Sequence, residues 1–191
     1  AFRKDCWVGV TGDCIDYVGP CPPKDPERYG QRYDGAGKLM IPAFYDAHAH
    51  APMTLLRGYA ENLPLQSWLF DRVFPFEAKI MAEDCYWATL LACAEMARYG
   101  VVSFSDMYYH MQEGARAALD AGLKMNRSDT LIAGNGESLF DLPLSTQNDR
   151  LLERWQGAGD GRIVVDCNVH AEYTSHPGAV RQIVDFAREH G

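Results

Sequence analysis

From Phe44 onward the chain alternates short apolar runs with amphipathic stretches, and that alternation restricts it to few architectures. The run Met40-Ile41-Pro42-Ala43-Phe44 leads into Tyr45-Asp46-Ala47-His48, and Val101–Met107, Leu123–Leu131 and Arg162–His170 read as three further strands. Between and after them lie helical patterns at Leu65–Phe74, Ala82–Tyr99, Gln112–Ala121, Asn148–Gln156 and Pro177–His190. In the second of these, Tyr86, Leu90, Cys93, Ala94 and Ala97 form one stripe, and Gly100 stands where a helix C-terminus favours glycine. Repeated strand–helix units of this spacing mean parallel strands joined by crossover helices. An eight-fold barrel takes roughly 200 to 250 residues, whereas four units fit into the 191 here. The choice is between a small open α/β sheet and half a barrel. His190-Gly191 reads as a helix end where another strand is due, which favours an α/β chain forming the first half of a (β/α)8 barrel, truncated after its fourth helix.

Residues 1–42 follow a different pattern and are expected to form the N-terminal strands of a small β domain, with the barrel units over 43–191. Cys6–Val10 and Cys14–Val18 alternate apolar and polar residues about Thr11-Gly12-Asp13, a hairpin signal. Pro20, Pro22, Pro23 and Pro26 then give a loop that lacks ladder donors. Arg32-Tyr33-Asp34 and Lys38–Ile41 flank Gly35-Ala36-Gly37, which predicts a second hairpin.

In α/β barrels the reacting groups gather at the C-terminal ends of the strands. Here those ends carry His48 and His50, then Asp106, Tyr108 and His110, then Asp129, then His170. His48 and His50 have the same strand parity, so both imidazoles point one way and can grip one ion. Taken singly, each residue has an ordinary reading: a packed or solvated histidine, a solvated His110 in a loop, an Asp106 that caps a turn. Their recurrence at four strand ends favours a site.

The stretch from His48-Ala49-His50-Ala51-Pro52 to Arg57-Gly58-Tyr59 resembles the start of the barrel in the amidohydrolase superfamily. The branch it looks most like contains the deaminases of S-adenosylhomocysteine and 5′-methylthioadenosine, with chlorohydrolases and guanine deaminases nearby. Supporting stretches are Glu61–Leu65 with Trp68-Leu69, Pro75–Lys79, Ala92–Met96, Asp106–His110 and His170–Ser175. The resemblance implies a zinc-dependent hydrolase of carbon–nitrogen bonds other than peptide bonds. It would deaminate S-adenosylhomocysteine, 5′-methylthioadenosine or 5′-deoxyadenosine by attack of a metal-activated hydroxide. His48 and His50 would be two ligands of one divalent ion, zinc or another first-row metal. Glu77 would accept hydrogen bonds from ribose hydroxyls, His170 would contact substrate, and Trp68 would stand near the substrate mouth or simply pack. Two departures stand against this reading. Members of the family draw a third metal histidine, a proton-transferring glutamate and further metal-side residues from later strands, so this piece alone is expected to be inactive. Related deaminases also carry an arginine where Asp129 stands, and whether Arg127 replaces it is open. The alternatives are a chlorohydrolase or guanine deaminase-like enzyme, or a catalytically inactive fragment.

Composition narrows the partners. A formal net charge of −8 argues against nucleic acid and anionic membranes, and no apolar stretch reaches membrane-spanning length. The six cysteines include no Cys-x-x-Cys pair, and no signal peptide is visible, although Ala1 is not a natural start. A cytoplasmic protein with reduced thiols and a small-molecule substrate is expected. A homo-oligomer is compatible with the sequence, which localises no interface.

Overall fold

A computed structural model describes residues 3–129, 132–134, 136–138 and 152–190. The backbone divides into two units, Ala1–Pro42 and Ala43–Gly191.

In the first unit, strands β1 (Trp7–Thr11) and β2 (Cys14–Gly19) pair antiparallel about a Gly12-Asp13 turn, with an irregularity in register after Gly9. The expected first hairpin is therefore present. Asp16 anchors it: one carboxylate oxygen accepts the Tyr29 hydroxyl at 2.8 Å, and the other accepts Thr11 Oγ1 at 2.9 Å and the Arg28 guanidinium. A side chain at Gly9 would meet the Tyr29 ring at 2.5 Å, so glycine is what lets that ring lie over the strand. The second hairpin does not form. Ala36-Gly37 make a turn, but no strand flanks it. Asp34 accepts the Ala36 N–H at 2.9 Å and its carbonyl accepts Lys38 Nζ at 3.1 Å, so local bonds satisfy groups that a ladder would use.

The second unit holds a four-stranded parallel sheet in the order β3 (Phe44–Ala49), β4 (Val101–Tyr108), β5 (Lys124–Asp129), β6 (Ile163–Val165). Spatial order follows chain order. This is the progression of successive barrel units; in a doubly wound sheet it would reverse. Helices α1 (Leu65–Trp68), α2 (Phe74–Glu77) and α3 (Ala82–Arg98) precede β4, α4 (Met111–Asp120) precedes β5, and α5 (Pro177–His190) comes last. Phe104, Met125 and Ile163 of the strands pack against Cys85, Ala92 and Cys93 of α3 and Met111, Ala115 and Ala118 of α4. Small helix residues bring backbone close to sheet, and dispersion contacts accumulate there.

Several expectations need correction. The buried stripe of α3 is Cys85, Ala88, Thr89, Ala92 and Cys93; of the expected stripe only Cys93 is fully buried, while Ala94 and Ala97 are exposed. The close-packed face selects the small side chains, and the bulkier Tyr86 and Leu90 move to its margin. The helix expected over Leu65–Phe74 is interrupted by a π-helical turn, Leu69–Val73, and resumes through Glu77. Pro75 has no N–H for the regular ladder and its ring crowds the preceding turn, which accounts for the widening. The fourth strand is three residues long instead of nine: after the Asp166 N–H bonds the Arg127 carbonyl at 2.8 Å, side-chain bonds such as Asn168 to Ser128 replace the ladder. Leu131 and Asn148 lie outside the described residues, while 152–155 are helical.

Candidate functional site

The irregular register of β3 on β4 builds the site. Pairing shifts between Asp46 and Ala49, and Ala49 then stands opposite Asp106. Within this irregularity the His48 N–H bonds Asp46 Oδ1 at 3.1 Å. The two imidazoles share one face, their centroids 4.8 Å apart and their planes at 81°. His50 Nδ1 lies 2.6 Å from the Met107 carbonyl oxygen. A carbonyl only accepts, so Nδ1 carries the hydrogen and Nε2 keeps its lone pair. A half-buried imidazole with Nδ1–H anchored on a backbone carbonyl is the state in which a histidine ligates a metal. The two imidazoles therefore fit a divalent cation. Among the described residues no group of three or more His, Cys, Asp or Glu side chains could hold a metal, so the pair stands without a third ligand there.

A cavity of about 140 Å³ opens beside the pair, lined among others by His50, Trp68, Glu77, Tyr108, His170 and Tyr173. His50, Trp68, Glu77, Tyr108 and His170, all singled out from the sequence, thus border one space, and His48 adjoins it through His50. The π turn and α2 carry the chain from Trp68 to Glu77. Burial raises the Glu77 carboxyl above its ordinary range, and the Tyr108 hydroxyl, turned toward it without direct hydrogen-bond geometry, pulls the other way. Burial, and then the charge of His50, lower the His170 pKa. Thr174 Oγ1 donates to the Ala171 carbonyl at 3.0 Å and lies 3.0 Å from His170 Nδ1. The hydroxyl hydrogen is already committed, so Nδ1 donates and Nε2 of His170 is left as an acceptor.

The remaining sequence candidates fall elsewhere. Asp106 does not cap a turn. It is 1 % exposed, its Oδ1 accepts the Ala51 N–H at 3.1 Å, and its Oδ2 has no hydrogen-bond partner. Burial pushes its carboxyl up to about 7, against the Ala51 and Met107 amides and the Arg127 charge. Arg127 is fully buried and does not line the His50 cavity. His110 is exposed in a left-handed conformation (φ 53°) at the start of α4, and borders a separate hollow of about 500 Å³ shared with Glu77 and Tyr109. Of Asp129 the structure gives the backbone, paired with Tyr108. Sequence reasoning missed Tyr173, and it placed Tyr108 at a strand end without assigning it a role. The signal for Tyr108 was available: Phe104, Asp106 and Tyr108 share one strand parity, and all three are buried.

Residues 39–191 match the amidohydrolase family. The chain is 35% identical over 192 residues to the 5-methylthioadenosine/S-adenosylhomocysteine deaminase of Pelotomaculum thermopropionicum, covering 98% of this chain and 43% of that protein. It is 33% identical over 191 residues to the 5′-deoxyadenosine deaminase of Methanospirillum hungatei, covering 98% and 41%. Among solved structures, a zinc-bound adenosine deaminase from Xanthomonas campestris superposes with a TM-score of 0.78 at 27% identity, over 98% of this chain and 43% of that one. The chain thus spans about two fifths of the length of the curated relatives it matches.

Proposed function

The chain belongs to the amidohydrolase family, and from that premise we propose that the intact protein is a metal-dependent deaminase of an adenine nucleoside, with S-adenosylhomocysteine, 5′-methylthioadenosine and 5′-deoxyadenosine as the candidate substrates. The observation that carries the reading is the convergence of His50, Trp68, Glu77 and His170 on one cavity beside His48. His48 and His50 would hold one divalent ion, for which zinc is proposed; it would supply the Lewis acidity that brings the pKa of water toward neutrality.

The chain's own residues would do the rest by binding and orientation. Glu77 accepts hydrogen bonds from the two ribose hydroxyls, and those donors stabilise a carboxylate that burial disfavours. His170, whose pKa burial lowers, offers Nε2 to the base while Thr174 fixes its ring. Trp68 and Tyr173 supply flat apolar walls for the base and exclude water.

The test is ammonia release by the intact protein, with zinc supplied, from each of the three nucleosides. Release from at least one supports the reading, and release from none overturns the substrate class.

A further inference from the structure

The carboxylate of Asp106 is unaccounted for by substrate binding. It sits in the core at 1 % exposure, where burying a carboxyl group is costly unless hydrogen bonds compensate it. Its position suggests a use. Oδ1 takes the N–H of Ala51, the residue after His50, and Asp106 itself precedes Met107, whose carbonyl takes the His50 Nδ1–H. Asp106 therefore braces both sides of the His50–Met107 hydrogen bond. It does so where β3 and β4 have lost regular register, so the ladder alone does not fix the spacing. A neutral acceptor would hold Ala51 with less desolvation. The second oxygen, Oδ2, has no hydrogen-bond partner, so Oδ1 on the Ala51 amide is where the side chain acts.

We propose that Asp106 is a positioning residue for the His48–His50 pair: by clasping the Ala51 amide from β4 it keeps the Met107 carbonyl on His50 Nδ1 and so presents Nε2 as a ligand for a divalent cation. This rests on the metal reading above for its purpose, and on the hydrogen bonds alone for its mechanism. The two separate experimentally.

The experiment uses the intact protein and its Asp106→Ala variant, stripped of metal and labelled with 15N-histidine. Long-range 1H–15N spectra at about pH 8, where an ordinary imidazole is neutral, report the tautomer of His50, assigned by the signal lost in His50→Gln. The wild type is expected to show Nδ1–H, and Asp106→Ala, which has no acceptor for the Ala51 N–H, a mixture of tautomers. Zinc affinity, measured against a competing chelator, is expected to fall by roughly 10-fold or more in the variant, as for other changes behind a metal-binding histidine. A folded variant with the wild-type tautomer and unchanged zinc affinity overturns the proposal. Should Asp106→Ala not fold, Asp106→Asn replaces it: its amide oxygen still accepts the Ala51 N–H, so the clasp predicts Nδ1–H on His50, and an Nε2–H tautomer there or in the wild type overturns it. Absence of zinc binding by the wild type, with its Nδ1–H tautomer intact and lost in Asp106→Ala, would instead refute the metal reading and leave the clasp standing.

Discussion

At the scale of single residues, charge and burial separate the roles of two carboxylates. Glu77 is half-buried at a cavity wall and raised by desolvation, which suits an acceptor waiting for donors from a ligand. Replacing Glu77 with Gln keeps the shape and removes the charge. A hydrogen bond to a charged group is worth about 1.5–3 kcal/mol, so Glu77→Gln should cost roughly 10- to 100-fold in kcat/KM for a ribose-bearing substrate, mostly through KM. A substrate without the diol would scarcely register the change, so parallel assays with a nucleoside and a free base separate the two substrate classes. Asp16 belongs to the other unit and shifts the opposite way: the Tyr29 hydroxyl first, then Thr11 and Arg28, hold its carboxyl below the ordinary 3.8. The stability it contributes is thus present above that ordinary value and is lost as pH falls through the lowered folded one. Following the Asp16 carboxyl by NMR should give a midpoint below 3.8, and Tyr29→Phe should move it upward. An unmoved midpoint in Tyr29→Phe would count against the hydroxyl as the main cause.

At the scale of elements, turn chemistry and parity are local, and they were readable in advance. Gly100 follows the end of α3 with φ 79°, and its carbonyl accepts the Phe44 N–H at 2.9 Å where β3 begins. Gly100→Ala puts a Cβ on a left-handed residue and should destabilise the protein by about 1 kcal/mol, seen as a lower denaturant midpoint with an unchanged slope. Strand parity likewise fixed the shared face of His48 and His50, because period two depends on the backbone alone. What escaped the sequence depends on neighbours. The α3 stripe is rotated from its expected position because several stripes of α3 are apolar, and contact with the sheet chose the one with cysteine, alanine and threonine. The π turn needed Pro75 to be read as a distortion within a helix, and the shortness of β6 needed knowledge that Asn168 would bond Ser128. Glu77 was legible only by resemblance, since a glutamate on a helix carries no spacing of its own, while His170 was marked by its place after the fourth strand and took its substrate role from resemblance.

At the scale of the whole molecule, the question is what the described residues suffice to do. Four sequential parallel strands bring two imidazoles, a carboxylate and a third histidine to one end of a sheet, and they orient the His50 ring before any ion arrives. Orientation is only part of affinity, because a catalytic zinc ordinarily has three protein ligands and a water. Among the described residues the pair has no such third partner. His170 has its Nδ1 on Thr174, and Asp106 is committed to Ala51 and buried away from solvent. The 191-residue chain produced by itself should therefore take up zinc weakly. After dialysis against a mild chelator, elemental analysis should find well under one zinc per chain, and the double variant His48→Ala/His50→Ala should remove even that. Ammonia release from the three nucleosides should be at background. Stoichiometric zinc that survives dialysis, and is lost in the double variant, would mean that the pair recruits a ligand the geometry does not place beside it, either by rearrangement or from a second copy of the chain. Repeating the measurement over a tenfold range of protein concentration distinguishes these, since only a shared site tightens with concentration.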